Sequence, residues 1–273
     1  MMLKSDCENI VYDVTCRAFK AIEHGDIDQV KKLILSKDGS INEYLYHVNF
    51  LSWAVRYNQK DIITFLLKND LVNIDMRGRS LHTALECNNK WAVRCLLDHN
   101  NADIINAQDN CLRTPMHTAI ESKCTVDVLM HLLRYCPNIN LEGYLGYAPI
   151  HTAVECHNIE ALTLLLNNGA AVNSRNKKGQ TALHIAAECV AKYRDKYHDM
   201  NSIYKLLAYH ADVDIKDNTG NTYLYYLYYL YEKDKSVDDT DDNTAISSSI
   251  SSDISTVLFG EKGPHDIDGC NII

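Results

Sequence analysis

Three tetrads recur at a nearly fixed interval in this chain: Thr114-Pro115-Met116-His117, Ala148-Pro149-Ile150-His151 and Thr181-Ala182-Leu183-His184. Their histidines stand 34 residues apart (151 minus 117) and then 33 apart (184 minus 151). Arg79-Ser80-Leu81-His82 is a weaker copy without the proline, 35 residues before His117. Each histidine is followed two residues later by alanine, at Ala84, Ala119, Ala153 and Ala186. Leucine pairs follow in register at Leu66-Leu67, Leu96-Leu97, Leu132-Leu133, Leu165-Leu166 and Leu206-Leu207, and turn signals such as Asn168-Gly169 come next. A period of this length means a stack of small supersecondary units, because one such unit cannot bury its apolar faces alone.

The residue types suit the spacing. Thr or Ser caps a first helix, and Pro sits in the first turn, where an N–H has no intrahelical partner. The small alanine lets neighbouring helices approach at the close end of the usual range of about 8–10 Å. The leucine pair on a second helix buries area between units, worth roughly 25 cal/mol per Å². Extending the register upstream finds Phe19-Lys20-Ala21 and Ser52-Trp53-Ala54, two units without histidine, and downstream Thr222-Tyr223-Leu224-Tyr225.

The tetrads, kept in register with the leucine pairs, resemble the ankyrin-repeat family, whose unit of about 33 residues carries T-P-L-H-x-A. That resemblance implies an all-α solenoid of helix-turn-helix units joined by β-hairpins or loops. It implies too that the histidines His82, His117, His151 and His184 are structural, tying adjacent units by hydrogen bonds. About seven units are expected. Residues 1–14 form an N-terminal segment and 15–231 the repeat domain, with six full units and the first helix of a seventh. Residues 232–256 form an acidic, Ser-rich linker or insert, and 257–273 a degenerate or truncated repeat, with an unrelated tail as the alternative. Between Ala186-Ala187 and Leu206-Leu207 the spacing is too long, which predicts an elongated connection between helices. In the seventh unit Leu227 replaces the small residue, predicting loose packing or an end cap. The six tyrosines from Tyr223 to Tyr231 read as a capping helix wet at one end or as an aromatic docking face.

Composition narrows the chemistry. A net charge of −9 argues against binding a phosphate backbone and favours a partner with a basic surface. Acids occupy the start of the chain, Asp6 and Glu8, where a signal peptide needs an apolar run, and no stretch approaches the roughly 20 apolar residues of a membrane span. The expected location is therefore the cytoplasm, with the ten scattered cysteines reduced. Successive histidines step by about one helix diameter, roughly 8–10 Å, too far for one zinc ion to be shared. No P-loop, nucleophile-elbow or H-E-x-x-H pattern is present, so no enzyme activity, cofactor or metal is expected.

The residues that vary against the repeated frame are the candidate site. Two past each alanine stand Glu23, Arg56, Glu86, Glu121, Glu155 and Glu188. The resemblance puts this position on the concave face, predicting an acidic stripe with members about one Debye length apart. A solvated helix face, on which glutamate is simply a good helix former, is the competing reading. The loop tips carry Met76, Arg77 and Arg79, then Arg113, then Tyr144, Leu145 and Tyr147, then Lys177, Lys178 and Gln180. Tyr-Leu-Tyr at the middle of the stack has the composition of an interface hot spot. The expected arrangement has Tyr144 and Tyr147 anchoring a partner while Glu121 and Glu155 orient its basic groups. Degenerate units rich in Asn, Asp, Ile and Tyr further resemble the ankyrin proteins of poxviruses, particularly those of birds. Many of these end in an F-box-like segment that recruits a ubiquitin ligase; residues 232–273 show none that is recognisable. The resemblance thus implies a host-protein binder without ligase delivery. A cellular adaptor that masks a basic segment, as inhibitors of NF-kappa-B do, is the alternative.

Overall fold

A computed structural model describes residues 4–34, 50–69, 78–193 and 198–228. The chain divides into two compact units, Met1–Gly143 and Tyr144–Ile273. In the first, helices come in pairs: α1 (Lys4–His24) with α2 (Ile27–Ile34), α3 (Phe50–Arg56) with α4 (Lys60–Lys68), α5 (Arg79–Glu86) with α6 (Lys90–Ile104), and α7 (Pro115–Glu121) with α8 (Val126–Leu133). In the second, α9 (Pro149–Glu155) pairs with α10 (Ile159–Asn167) and α11 (Ala182–Tyr193) with α12 (His198–Ala208), and residues 223–228 are helical again. Within each unit the first helix of one pair lies on the first helix of the next, and second lies on second.

The tetrad alanines explain that stacking. Ala54, Ala84, Ala119, Ala153 and Ala186 are fully buried, as are Leu66, Leu96, Leu132, Leu165 and Leu206 of the leucine pairs. The alanine backbone also closes the first helix. Its carbonyl accepts the N–H of the residue five further on, from Gln59 to Ala54, Asn89 to Ala84, Cys124 to Ala119 and Asn158 to Ala153, each at 2.8–2.9 Å. The residue between is left-handed in every case: Asn58, Asn88, Lys123 and His157, with φ from 49° to 54°. After glycine, Asn tolerates this conformation best, and it stands at two of the four positions.

Of the two joins expected, β-hairpins or loops, the structure shows loops, and other details of the expected frame change. Among the described residues there is no strand. The loops close on themselves instead: Asp109 N–H bonds to the Arg113 carbonyl at 3.0 Å, Asn176 to Gln180 at 2.9 Å and Asp217 to Asn221 at 2.8 Å, and the carbonyls of Asp109, Asn176 and Asp217 accept from Leu112, Gly179 and Gly220 at 2.9, 2.8 and 3.1 Å, too short a pairing to build a ladder. The excess after Ala186-Ala187 is largely helix rather than connection. After Ala186 the sequence runs Ala187-Glu188-Cys189-Val190-Ala191, without the left-handed residue that ends the other first helices, so α11 continues to Tyr193. Helix α1 likewise begins at Lys4, upstream of residue 15. Leu227 is completely buried and Tyr223 nearly so, so the seventh unit is packed through its large residues rather than loosely. Tyr225 and Tyr228 point out to solvent. The expected linker and truncated repeat beyond residue 231 lie outside the described residues, as does Arg77.

Candidate protein-binding face

The four histidines are buried at the N-terminal ends of first helices. His184 Nδ1 accepts the N–H of Thr181 at 3.2 Å, so the ring is neutral there and its Nε2–H donates to the Asn221 carbonyl at 3.1 Å. His151 repeats this with Ala148 N–H at 3.0 Å and the Ser174 carbonyl at 3.0 Å. In His82 the Nε2–H donates to the Ala107 carbonyl at 3.0 Å, and Nδ1 faces the Thr118 hydroxyl at 2.6 Å. His117 Nδ1 accepts the N–H of Thr114 at 3.2 Å. Burial holds His82 and His184 below the usual histidine range, although the carbonyls they meet partly offset it. The rings of His117, His151 and His184 fix the starts of their own helices, and those of His82, His151 and His184 bond to the chain of the neighbouring repeat. Among the described residues no group of His, Cys, Asp and Glu is placed to hold a metal ion.

Eight residues before the tetrad histidine comes a position that the sequence reading passed over. Asp109 Oδ1 accepts the N–H groups of Cys111 and Arg113, both at 2.8 Å. Asn176 Oδ1 does the same for Lys178 and Gln180 at 2.9 and 3.0 Å, and Asp217 Oδ1 for Thr219 and Asn221 at 2.8 and 3.1 Å. This Asx turn folds each loop on itself. The equivalent position between them is Gly143, which has no side chain for the purpose. The interval of eight was legible as 117 minus 109, 184 minus 176 and 225 minus 217.

The residue just before the helix cap then decides what becomes of the acidic stripe. Arg113 donates from Nε to Asp109 Oδ2 at 2.7 Å, from Nη1 to Glu121 Oε2 at 2.8 Å and from Nη2 to Glu86 Oε1 at 3.1 Å. Burial alone would lower the guanidinium's pKa; its bonds to Glu121 and Asp109 outweigh that and push it up. Arg113 is therefore a clamp joining two repeats, not an exposed tip, and Glu86 and Glu121 are its ligands rather than a ready acidic surface. At the matching place in the second unit, Gln180 Nε2 donates to Glu188 Oε2 at 3.1 Å, so Glu188 is engaged as well. Glu155 is exposed, and its charge reaches the Tyr147 hydroxyl.

Tyr147 holds that same position before the cap and is half-buried, which corrects its assignment to an exposed tip. Its ring lies 5.6 Å from that of His151, and Asn176 hydrogen-bonds its hydroxyl. Burial, with Glu155, Glu188 and Cys189 nearby, pushes that hydroxyl up to about 12. Tyr144 and Leu145 do stand out, at 64% and 41% exposure. They sit in a one-turn 3-10 segment, Tyr144–Gly146, whose left-handed Leu145 (φ 56°) gives its carbonyl to the Lys177 N–H at 2.9 Å. Gly146 follows at φ 76°, and a Cβ there would meet Lys177 N at 2.9 Å, so only glycine lets the two loops close. The loop presents two apolar side chains on a backbone held from both sides. Arg79 is exposed in the first turn of α5, where Gly78 at φ 60° replaces a capping side chain.

Comparison with known proteins follows the same register. Models for ankyrin repeats match residues 18–109 and 51–142 in three-copy form, 132–186 in many-copy form and 178–218 as a single repeat. An ankyrin repeat protein of fowlpox virus (strain NVSL) is 30% identical over 124 residues, 42% of this chain and 36% of the relative. A second from the same virus is 33% identical over 111 residues, 40% of this chain and 74% of the relative. The matched stretch thus spans about a third of the first relative's length and three quarters of the second's. Human and rickettsial ankyrin repeat proteins match as well. Among solved structures, the ankyrin repeat domain of Bcl-3, described as a unique member of the IkappaB protein family, has a TM-score of 0.65 at 23% identity. It covers 77% of this chain and 92% of that domain, and shows the fold.

Proposed function

The chain belongs to the ankyrin-repeat family, a family of protein-protein interaction modules, and from that premise we propose that it is a non-enzymatic binder of a host protein, of the poxvirus type. The observation that carries this reading is the pinned loop of the second unit. Tyr144 and Leu145 are raised on a backbone that the Lys177 N–H already holds, so little ordering entropy is lost when a partner covers them. Exposed Glu155 supplies a carboxylate on the first helix of the same repeat, suited to a basic group at the rim of a partner's apolar patch. With Glu86, Glu121 and Glu188 engaged internally, recognition rests on the apolar pair more than on an acidic stripe. The net charge of −9 disfavours nucleic acid as the ligand. The host-cell cytoplasm is the proposed location, and binding proceeds without recruitment of a ubiquitin ligase.

Affinity capture from avian cells, followed by mass spectrometry, tests this. Wild-type chain should retain a host protein that the double variant Tyr144→Ala/Leu145→Ala loses, by about tenfold or more in affinity, with an unchanged thermal midpoint. Retention of the same partner by the variant would overturn the site. Recovery of cullin-ligase subunits would contradict the reading of the tail, and turnover of a substrate by purified chain would contradict the non-enzymatic reading.

A further inference from the structure

The first unit carries another surface feature, at the C-terminal ends of its first helices and away from its loops. Where α3 turns into α4 and α5 turns into α6, a groove of about 400 Å³ opens between the two repeats. Three exposed cations line it, Arg56, Lys60 and Lys90, together with Trp91, Asn58 and Cys87, and none of the lining residues is acidic. In a chain of net charge −9 this is a local reversal of sign. The Lys60 ammonium stands over the Trp91 ring, 5.5 Å from its centroid, so the groove offers an apolar floor beside its charges. Asn89 ties the walls together: its Oδ1 caps α6 by accepting Ala92 N–H at 3.1 Å, and its Nδ2 donates to Asn58 Oδ1 at 3.0 Å. Gln59, at the matching place on α4, instead turns its amide to the Glu23 carbonyl at 3.1 Å and gives α4 no side-chain cap. The positive end of that helix therefore adds to the field at Lys60. Exposed Asp127 lies 3.9 Å from Lys90 at the edge of the groove.

We propose that this groove binds an acidic segment of a partner protein. Carboxylates of an extended peptide meet Arg56, Lys60 and Lys90, and an apolar side chain between them lies on Trp91. The volume is in the range of small-ligand sites, about 300–1,000 Å³, and takes a few side chains at a time. Peptide is favoured over nucleic acid because a continuous row of phosphates would extend past three cations onto an otherwise acidic molecule. This surface shares no residue with the Tyr144–Leu145 loop, and the proposal does not depend on it.

The test uses the full chain and a synthetic peptide of about ten residues, alternating Glu and Asp around a central Leu. Titration calorimetry gives the affinity. Alkylation of Cys87 gives the location, with exposed Cys111 and Cys136 as internal controls. The peptide should bind one to one, slow alkylation at Cys87 alone, and weaken at least fivefold between 0.05 and 0.5 M salt, as screening of exposed charges requires. Arg56→Ala/Lys60→Ala/Lys90→Ala should weaken it about tenfold or more, and Lys60→Glu, a single surface change, should do so by about fivefold should the triple variant fold poorly. Undiminished binding by either variant, protection of Cys111 or Cys136 in place of Cys87, or no peptide binding would each overturn the proposal. So would inorganic phosphate displacing the peptide at equal concentration, or an oligonucleotide binding more tightly, since either would make the groove a general anion site.

Discussion

Replacing Arg113 by Met removes the clamp that joins Glu86, Asp109 and Glu121 while keeping most of the apolar stem. The loss can be worked arm by arm. The pair to Asp109 is the strongest, with Nε and Nη2 both 2.7 Å from Oδ2 and the carboxylate only 16% exposed. Hydrogen bonds between charged groups in such a setting contribute about 1.5–3 kcal/mol. The arms to Glu86 and Glu121, whose side chains are 42% and 36% exposed, are screened and contribute about 0.2–1 kcal/mol each. Together the substitution should cost about 2–5 kcal/mol, and three carboxylates are left facing one another. Urea unfolding of the full chain, followed by hydrogen exchange at the amides of residues 109–121, measures it; in a repeat array the loss should concentrate in the repeats that Arg113 bridges. Raising salt should recover part of the loss by screening the carboxylates. A change below about 0.5 kcal/mol, typical of an ordinary surface site, would refute the clamp and return Glu86 and Glu121 to the pool of available acids.

Further outcomes follow from the same framework. His82 and His184 are held below the usual range by burial, and the folded state therefore binds fewer protons than the unfolded chain as pH falls. Stability should be level above about pH 6.5 and decline below it, as denaturant midpoints measured at pH 7.5, 6 and 5 would register; a rise on acidification would contradict the neutral tautomers. Asp217 is drawn down to about 2 by Thr219, Tyr226 and Asn221 despite its burial, so its contribution is present above about pH 4 and lost as pH falls through 2. Asp217→Asn should cost about 1–3 kcal/mol and accelerate exchange at residues 217–228, because Tyr226 Oη loses a charged acceptor at 2.6 Å. Leu227→Ala should cost about 2–5 kcal/mol by opening a cavity in the seventh unit, seen as lost protection in residues 198–228 and not in α5 or α6; a cost near zero would mean that this unit is not packed.

The repeat was legible because its signals are local and redundant. Thr-Pro starts a helix, alanine permits a close crossing, and paired leucines fill the space behind it, so the helix pairs follow from these signals and the resemblance to the ankyrin-repeat family rests on the same residues. The side-chain roles on that frame were less visible. Arg113 reads as an exposed basic tip until the eight-residue step to Glu121 and the crossing from Glu86 bring three carboxylates around it. Tyr147 has the composition of a hot spot, yet its place before the cap turns it under His151 while Tyr144, three residues earlier, stays outside. The groove at Arg56, Lys60 and Lys90 escaped notice because the cations come from two repeats and meet only when α3 and α5 stack. Contacts between units depend on that stacking, and a scan one unit long does not contain it.

The most direct test compares amide hydrogen exchange in the full chain alone and bound to the host protein that it captures. Slowed exchange centred on residues 144–146 and extending along α9 is the result expected of a binder whose frame is internally satisfied and whose loop is the contact. Unchanged exchange there, with protection appearing instead across the buried histidine ladder or in α2 and α4, would contradict it.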